Sequence, residues 1–283
     1  MSSIGKIGLF DSGLGGLTVL RALNKMLPDA AKVYYGDTLH LPYGDKSDEA
    51  IVGYSTEIVQ FLKDQGCVLI VIACNSASAA AGKALEERFP ELTFVNVIDP
   101  VVDYLASLSP QKVGLLGTRA TVRSGAYSHK LAAKNSEVQL QALATPLLVP
   151  LIEDGFLGTG IDASVLAHYL KDPAMNGITS LVPGCTHYPL LEEAAASILS
   201  GVHWVDAPSI VAEAVAKHWT GEQSEGNAFY LSGVGVVGVR VGVGVVVVVG
   251  VVGLIRVAGE GAGAGVRGVG VGVGVGVGVV GVV

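Results

Sequence analysis

Apolar residues along this chain fall into two alternating patterns. KIGLF (6–10), KVYYGD (32–37), VLIVIA (68–73) and TFVNVI (93–98) are short, nearly continuous apolar runs, which predict buried strands. Between them, LTVLRALNKML (17–27) and DEAIVGYSTEIVQFLKDQG (48–66) repeat apolar residues at helical spacing, and the second closes on Gly66. An Ala-rich helix is predicted after Ser76, and another leading to Ser109. Strands of this kind alternating with helices predict parallel α/β sheets covered on both faces.

The pattern then starts over. KIGLFDSG (6–13) returns as KVGLLGTR (112–119), and VLIVIACNSAS (68–78) as ITSLVPGCTHYP (178–189). DTLHLPYGD (37–45) has a looser echo in TPLLVPLIED (145–154). The separations are 106 residues from Lys6 to Lys112, 108 from Pro42 to Pro150, and 111 from Cys74 to Cys185. Three ordered echoes at nearly constant separation predict two similar halves. Ligands of open parallel sheets bind beyond the carboxyl ends of the strands. Cys74 and Cys185 stand at such ends in equivalent places, so facing halves would set the two thiols on opposite walls of one cleft.

Composition narrows the function classes. The 283 residues suffice for one large or two medium domains. Before Ser232 charged residues interrupt every apolar run short of the roughly 18 residues of a membrane span. The opening MSSIGKIGLFDSG carries too short an apolar run for a secretory signal, which predicts a cytoplasmic protein with no membrane partner. Net charge is −7 with no Lys/Arg-rich block, so nucleic acid is not an expected partner. From Val234 to Val283 the chain is almost wholly Val and Gly. It reads either as an elastin-like low-complexity tail or, better, as a stand-in for undetermined residues. Uncharged valine-rich segments are an aggregation hazard in solution, and no function is drawn from this one.

Two facing thiols permit a defined chemistry. A thiol with an ordinary pKa near 8.5 can serve as acid or base once its neighbours shift it. Across a cleft, one sulfur can remove a proton from one face of a carbon while the other delivers a proton to the opposite face, inverting a stereocentre. Asp11, Glu153 and His187 are candidates to relay protons and adjust the sulfurs. Ser12, Asn75, Ser76, Thr118, Thr121 and Thr186 could hold a small zwitterion, helped by N–H groups at helix N-termini.

At these positions, FDSGLGGLTV, YYGDTLHLPYG, ACNSAS, GTRATV, LVPLIEDG and GCTHYPLL occur in an order that resembles the cofactor-independent aspartate/glutamate racemase family. The resemblance spans about residues 5–232. It implies two doubly wound α/β domains related by a pseudo-twofold axis, residues 1–97 with 209–233 and residues 98–208, with the active site between them. It also implies interconversion of L- and D-glutamate without a cofactor or metal, for peptidoglycan. Cys74 would act on D-glutamate with Asp11 as helper, and Cys185 on L-glutamate with Glu153 and His187 behind it. Carried over as substrate contacts are Asp11, Ser12, Tyr43, Gly44, Asn75, Ser76, Thr186 and His187, with Thr118 and Thr121. A homodimer and regulation by a cell-wall precursor are compatible with the family, whose members differ on both. The family usually has Thr where this chain has Ser76, so a hydroxyl survives and a methyl is lost.

Blander readings compete at each position. Buried cysteine is commonly packing, and Cys67, at a strand start with no polar motif after it, is assigned to the core. A Cys74–Cys185 disulfide is disfavoured in a reducing compartment, and zinc by the lack of a CxxC pair. A dinucleotide loop fails because Thr18 stands where the last Gly of GxGxxG would fall. Asp11 also suits a plain turn, and Glu153 in LIEDG a solvated one. Rival functions are an aspartate racemase, a thiol hydrolase using Cys185 with His187, and a non-catalytic amino-acid clamp.

Overall fold

The computed structural model describes residues 5–109, 111–221 and 227–232, and the backbone alone of 235–241, 244–250 and 255–259. The chain opens with β1 (Lys6–Asp11), α1 (Leu17–Met26), β2 (Lys32–Gly36), α2 (Asp48–Asp64), β3 (Cys67–Ile72), α3 (Asn75–Arg88) and β4 (Thr93–Asn96). After α4 (Asp99–Ala106) come β5 (Lys112–Gly117), α5 (Arg119–Ser124), α6 (Ala126–Lys134), β6 (Gln139–Ala144), α7 (Leu148–Glu153) and α8 (Ile161–Leu170). Then β7 (Ser180–Gly184), α9 (Glu192–Ile198) and β8 (His203–Trp204) complete the second sheet. Finally α10 (Ala207–His218) and β9 (Asn227–Leu231) return to the first.

The repeat seen in the sequence is a repeat of topology. The first sheet contains the order β2-β1-β3-β4 and the second β6-β5-β7-β8, so corresponding strands hold corresponding places. All pairings among β1–β9 are parallel. In the first sheet alternate residues serve opposite faces, as a strand's period of two requires. Ile7, Leu9, Leu69 and Val71 pack with Val19, Leu23, Val211 and Val215 of α1 and α10. Phe10, Ile70 and Ile72 pack with Ile51, Val59, Ala77 and Leu85 of α2 and α3. The second sheet is also covered on both faces, by α4 and α6 on one and by α7, α8 and α9 on the other. Each such Val, Leu, Ile or Phe side chain contributes about 1.5–3 kcal/mol by burial.

Two features depart from the expectation of simple parallel sheets. β6 has the polar sequence QLQALA because it is an edge strand, half-buried along nearly its whole length. The Val/Gly segment also forms strands: β10 (Gly235–Val241) pairs antiparallel with β11 (Gly244–Gly250), and β12 (Ile255–Gly259) adds antiparallel to β9. β-branched valine fits a pleated surface, which explains the extended backbone there. The rest of residues 234–283 lies outside the described residues.

Candidate active site

Four strand ends build the site. The loop after β1 carries Asp11, Ser12 and Gly13; Cys74 caps α3 just beyond β3; Thr118 caps α5 after β5; Cys185 follows β7. These parallel strands run the same way within each sheet, so their carboxyl ends gather the loops. They surround a cavity of about 260 Å³ with both Cys74 and Cys185 on its walls. That volume lies just below the roughly 300–1,000 Å³ of pockets for drug-sized ligands and suits something smaller.

Ser12, Tyr43, Gly44, Asn75, Ser76, Thr118, Glu153, Thr186 and His187 also line this cavity. Two expected contacts do not. Thr121 is buried behind Thr118, whose side-chain oxygen lies 3.0 Å from its hydroxyl. Asp11 is fully buried behind the wall, with its carboxylate against the loops and the Cys74 thiol. Its Oδ2 accepts from the Gly13 and Gly16 N–H groups, each at 3.1 Å, and its Oδ1 accepts from the Thr186 hydroxyl at 3.3 Å. Asp11 therefore ties the loop beside Cys74 to the loop beside Cys185.

The two sulfurs sit in different fields. Cys74 Sγ lies 3.7 Å from Ser12 Oγ. Burial, then the nearby Asp11 carboxylate, pushes the Cys74 thiol up to about 12, so it carries its proton at neutral pH. Burial likewise raises Asp11 above its ordinary value, against the charge of His187 and the two loop N–H groups. On the other wall Cys185 Sγ lies 3.8 Å from His187 Nδ1. Burial would strip the proton from His187; the Cys185 sulfur, Glu153 and Asp11 outweigh it, and the imidazole is pushed up to about 10. Glu153 Oε1 is 3.0 Å from His187 Nε2 but off the N–H direction, so charge attraction rather than a formed hydrogen bond joins them. One wall thus offers a protonated thiol, and the other a sulfur beside an imidazolium.

Further contacts hold these groups in place, some made by residues that the sequence did not single out, Thr18 and Asp37 among them. Thr18 at the start of α1 places its hydroxyl 2.9 Å from both the Gly15 and the Thr186 carbonyl oxygens. The Tyr43 hydroxyl donates to Asp37 Oδ2 at 2.6 Å, and Asp37 also meets His40 and Ser232. Ser76 and Thr118 hydroxyls, from the two different sheets' loops, lie 3.0 Å apart. Pro146, Val149 and Pro150 form an apolar wall, and Arg119 and Asp45 meet at 3.4 Å on the rim. Thr18, Asp37 and Arg119 stand inside the motifs without being singled out there, because their contacts with Thr186, Ser232 and Asp45 join distant segments. All three cysteines are free, and Cys67 is buried in the core as expected. Among the described residues, no three His, Cys, Asp or Glu side chains gather as a metal-binding set, and no helix is long and apolar enough to cross a membrane.

Comparison with known proteins identifies the arrangement. Residues 7–215 match the Asp/Glu/Hydantoin racemase family. The glutamate racemase of Aquifex aeolicus is 44% identical over 211 residues, 74% of this chain and 82% of that protein. The crystal structure of glutamate racemase from Francisella tularensis in complex with D-glutamate superposes with a TM-score of 0.75 at 32% identity, covering 82% of this chain and 90% of that one. Escherichia coli glutamate racemase, in complex with L-glutamate and the activator UDP-MurNAc-ala, gives a TM-score of 0.70 at 30% identity, covering 81% and 90%. The matched residues run through both sheets and every loop of the cavity, and the chain belongs to the Asp/Glu/Hydantoin racemase family.

Proposed function

We propose that the protein is a glutamate racemase that works by two-thiol proton transfer and supplies D-glutamate for peptidoglycan. The observation that carries this reading is the presence of both sulfurs on the walls of one amino-acid-sized cavity, each from the equivalent strand end of its sheet. In the L-to-D direction Cys185, as thiolate beside the His187 imidazolium, takes the proton from Cα and becomes a thiol. The Cα–H electron pair stays on carbon, and the Cys74 thiol delivers its proton to the opposite face. The D-to-L direction exchanges the roles, with Asp11 serving Cys74 and with Glu153 and His187 serving Cys185. Serine and threonine hydroxyls together with Asn75 hold the substrate's charged ends. The cleft lies between units of residues 1–97 with 209–233 and residues 98–208. In this role a cell-wall precursor is the natural class of effector, as the activator bound to the E. coli enzyme illustrates.

Circular dichroism of L-glutamate with purified protein and no added cofactor tests the reading. The signal should decay to zero, and in deuterium oxide the recovered glutamate should carry deuterium at Cα. Persisting optical activity with folded protein would refute it. Cys74→Ala and Cys185→Ala should each abolish racemisation with the fold retained.

A further inference from the structure

Tyr127 belongs to α6 of the second sheet's unit, yet its hydroxyl reaches across to the residue after Cys74. It donates to Asn75 Oδ1 at 2.7 Å, and both residues are buried. Asn75 lines the cavity; Tyr127 does not. A phenol has one O–H to donate, and an amide has one oxygen to receive it and one nitrogen that only donates. With the O–H donated to Asn75 Oδ1, the amide sits in the flip that turns its NH₂ away from the phenol. We propose that Tyr127 is a positioning residue: by capturing Asn75 Oδ1 it turns the Asn75 NH₂ group toward the cavity as a donor to a substrate carboxylate.

The surroundings make the phenol hard to replace. Behind the site, Tyr127, Asn75, Thr18 and Cys185 border a void of only about 10 Å³. That is at the lower limit for a single water, so solvent would be a cramped substitute for the hydroxyl as donor to Asn75 Oδ1. Loss of the hydroxyl leaves a buried amide oxygen unsatisfied or lets the amide turn, and either outcome presents a poorer donor to an anion. Because the bond spans the two sheets' units, the donor is correctly aimed only when those units are together. Anion recognition at Asn75 is thereby coupled to the closeness of the two walls.

This inference rests on the racemase reading, and the experiment separates the two. Wild type, Tyr127→Phe, Asn75→Ala and the double variant are compared with L- and D-glutamate. Failure of the wild type to racemise glutamate would sink the racemase reading itself. With wild type active, Tyr127→Phe should raise KM about tenfold, or about 1.4 kcal/mol, and leave kcat within about twofold. The rise should vanish in the Asn75→Ala background, since a residue acting through Asn75 has nothing left to position. If Asn75→Ala turns over too slowly, the dissociation constant for D-glutamate from calorimetry carries the same cycle. An unchanged KM, a fall in kcat alone, or a Tyr127→Phe penalty of equal size in both backgrounds would overturn the proposal.

Discussion

Gly15 offers a direct test of how closely the loops around the cavity are fitted. A Cβ at this position would lie 2.4 Å from His187 Nδ1, 2.5 Å from Thr186 Oγ1 and 2.6 Å from His187 Cε1. Non-bonded heavy atoms prefer about 3.5–4.0 Å, so Gly15→Ala must drive Thr186 and His187 back by about 1 Å. Both flank Cys185, and Thr186 is the partner of Asp11. A misplacement of that size in a catalytic group costs about 10²-fold, and we expect kcat/KM to fall accordingly. Overpacking should cost about 1–3 kcal/mol of stability, or a few degrees in Tm for a fold of this size. The assay is polarimetric racemisation begun from each enantiomer. L- and D-glutamate have equal free energy in water, so kcat/KM must drop by the same factor in both directions although the clash touches one wall only. A folded Gly15→Ala variant with wild-type kcat/KM would refute the claim that the loop after β1 is seated against the Cys185 loop.

Two further perturbations probe the charges. Glu153 helps keep His187 protonated, with a pKa pushed up to about 10, so Glu153→Gln should move the alkaline limb of the kcat profile to lower pH. A limb that stays in place would show that Glu153 exerts no hold on the His187 proton. The Arg119–Asp45 pair is exposed on both sides and contributes at most about 1 kcal/mol, so Arg119→Gln should leave Tm nearly unchanged. Its positive charge on the rim of an acidic protein should instead draw in an anionic substrate. KM should therefore rise a few-fold at low ionic strength and converge on wild type at roughly 0.5 M salt; a salt-independent difference would count against steering.

The fold was legible because buried parallel strands carry nearly pure apolar sequence and the duplication repeats them in order. The same reasoning failed at β6, whose edge position removes the pressure for apolar residues. Glu153 was expected in a turn and is the last residue of α7; the proline of LVPLIE stands in the first turn, where no N–H is needed, and so does not prevent the helix. Cys74, Cys185, Asn75 and His187 were readable from their place after strands. Asp37, Tyr127 and Thr18 were not, because they act through contacts with Ser232, Asn75 and Thr186, segments far apart from them in the chain. Asp11 was read as helper of Cys74 and as a substrate contact; its carboxylate is buried beside the Cys74 thiol and off the cavity lining.

Asp11 ends β1, and the residue that ends β5 at the equivalent place is Gly117. The two halves thus differ at this place: the first has a buried acid there, and the second has glycine and sets an imidazole and a glutamate near its cysteine. A tandem of two first halves would surround its pocket with two buried acids and no resident cation, leaving both sulfurs protonated and inert.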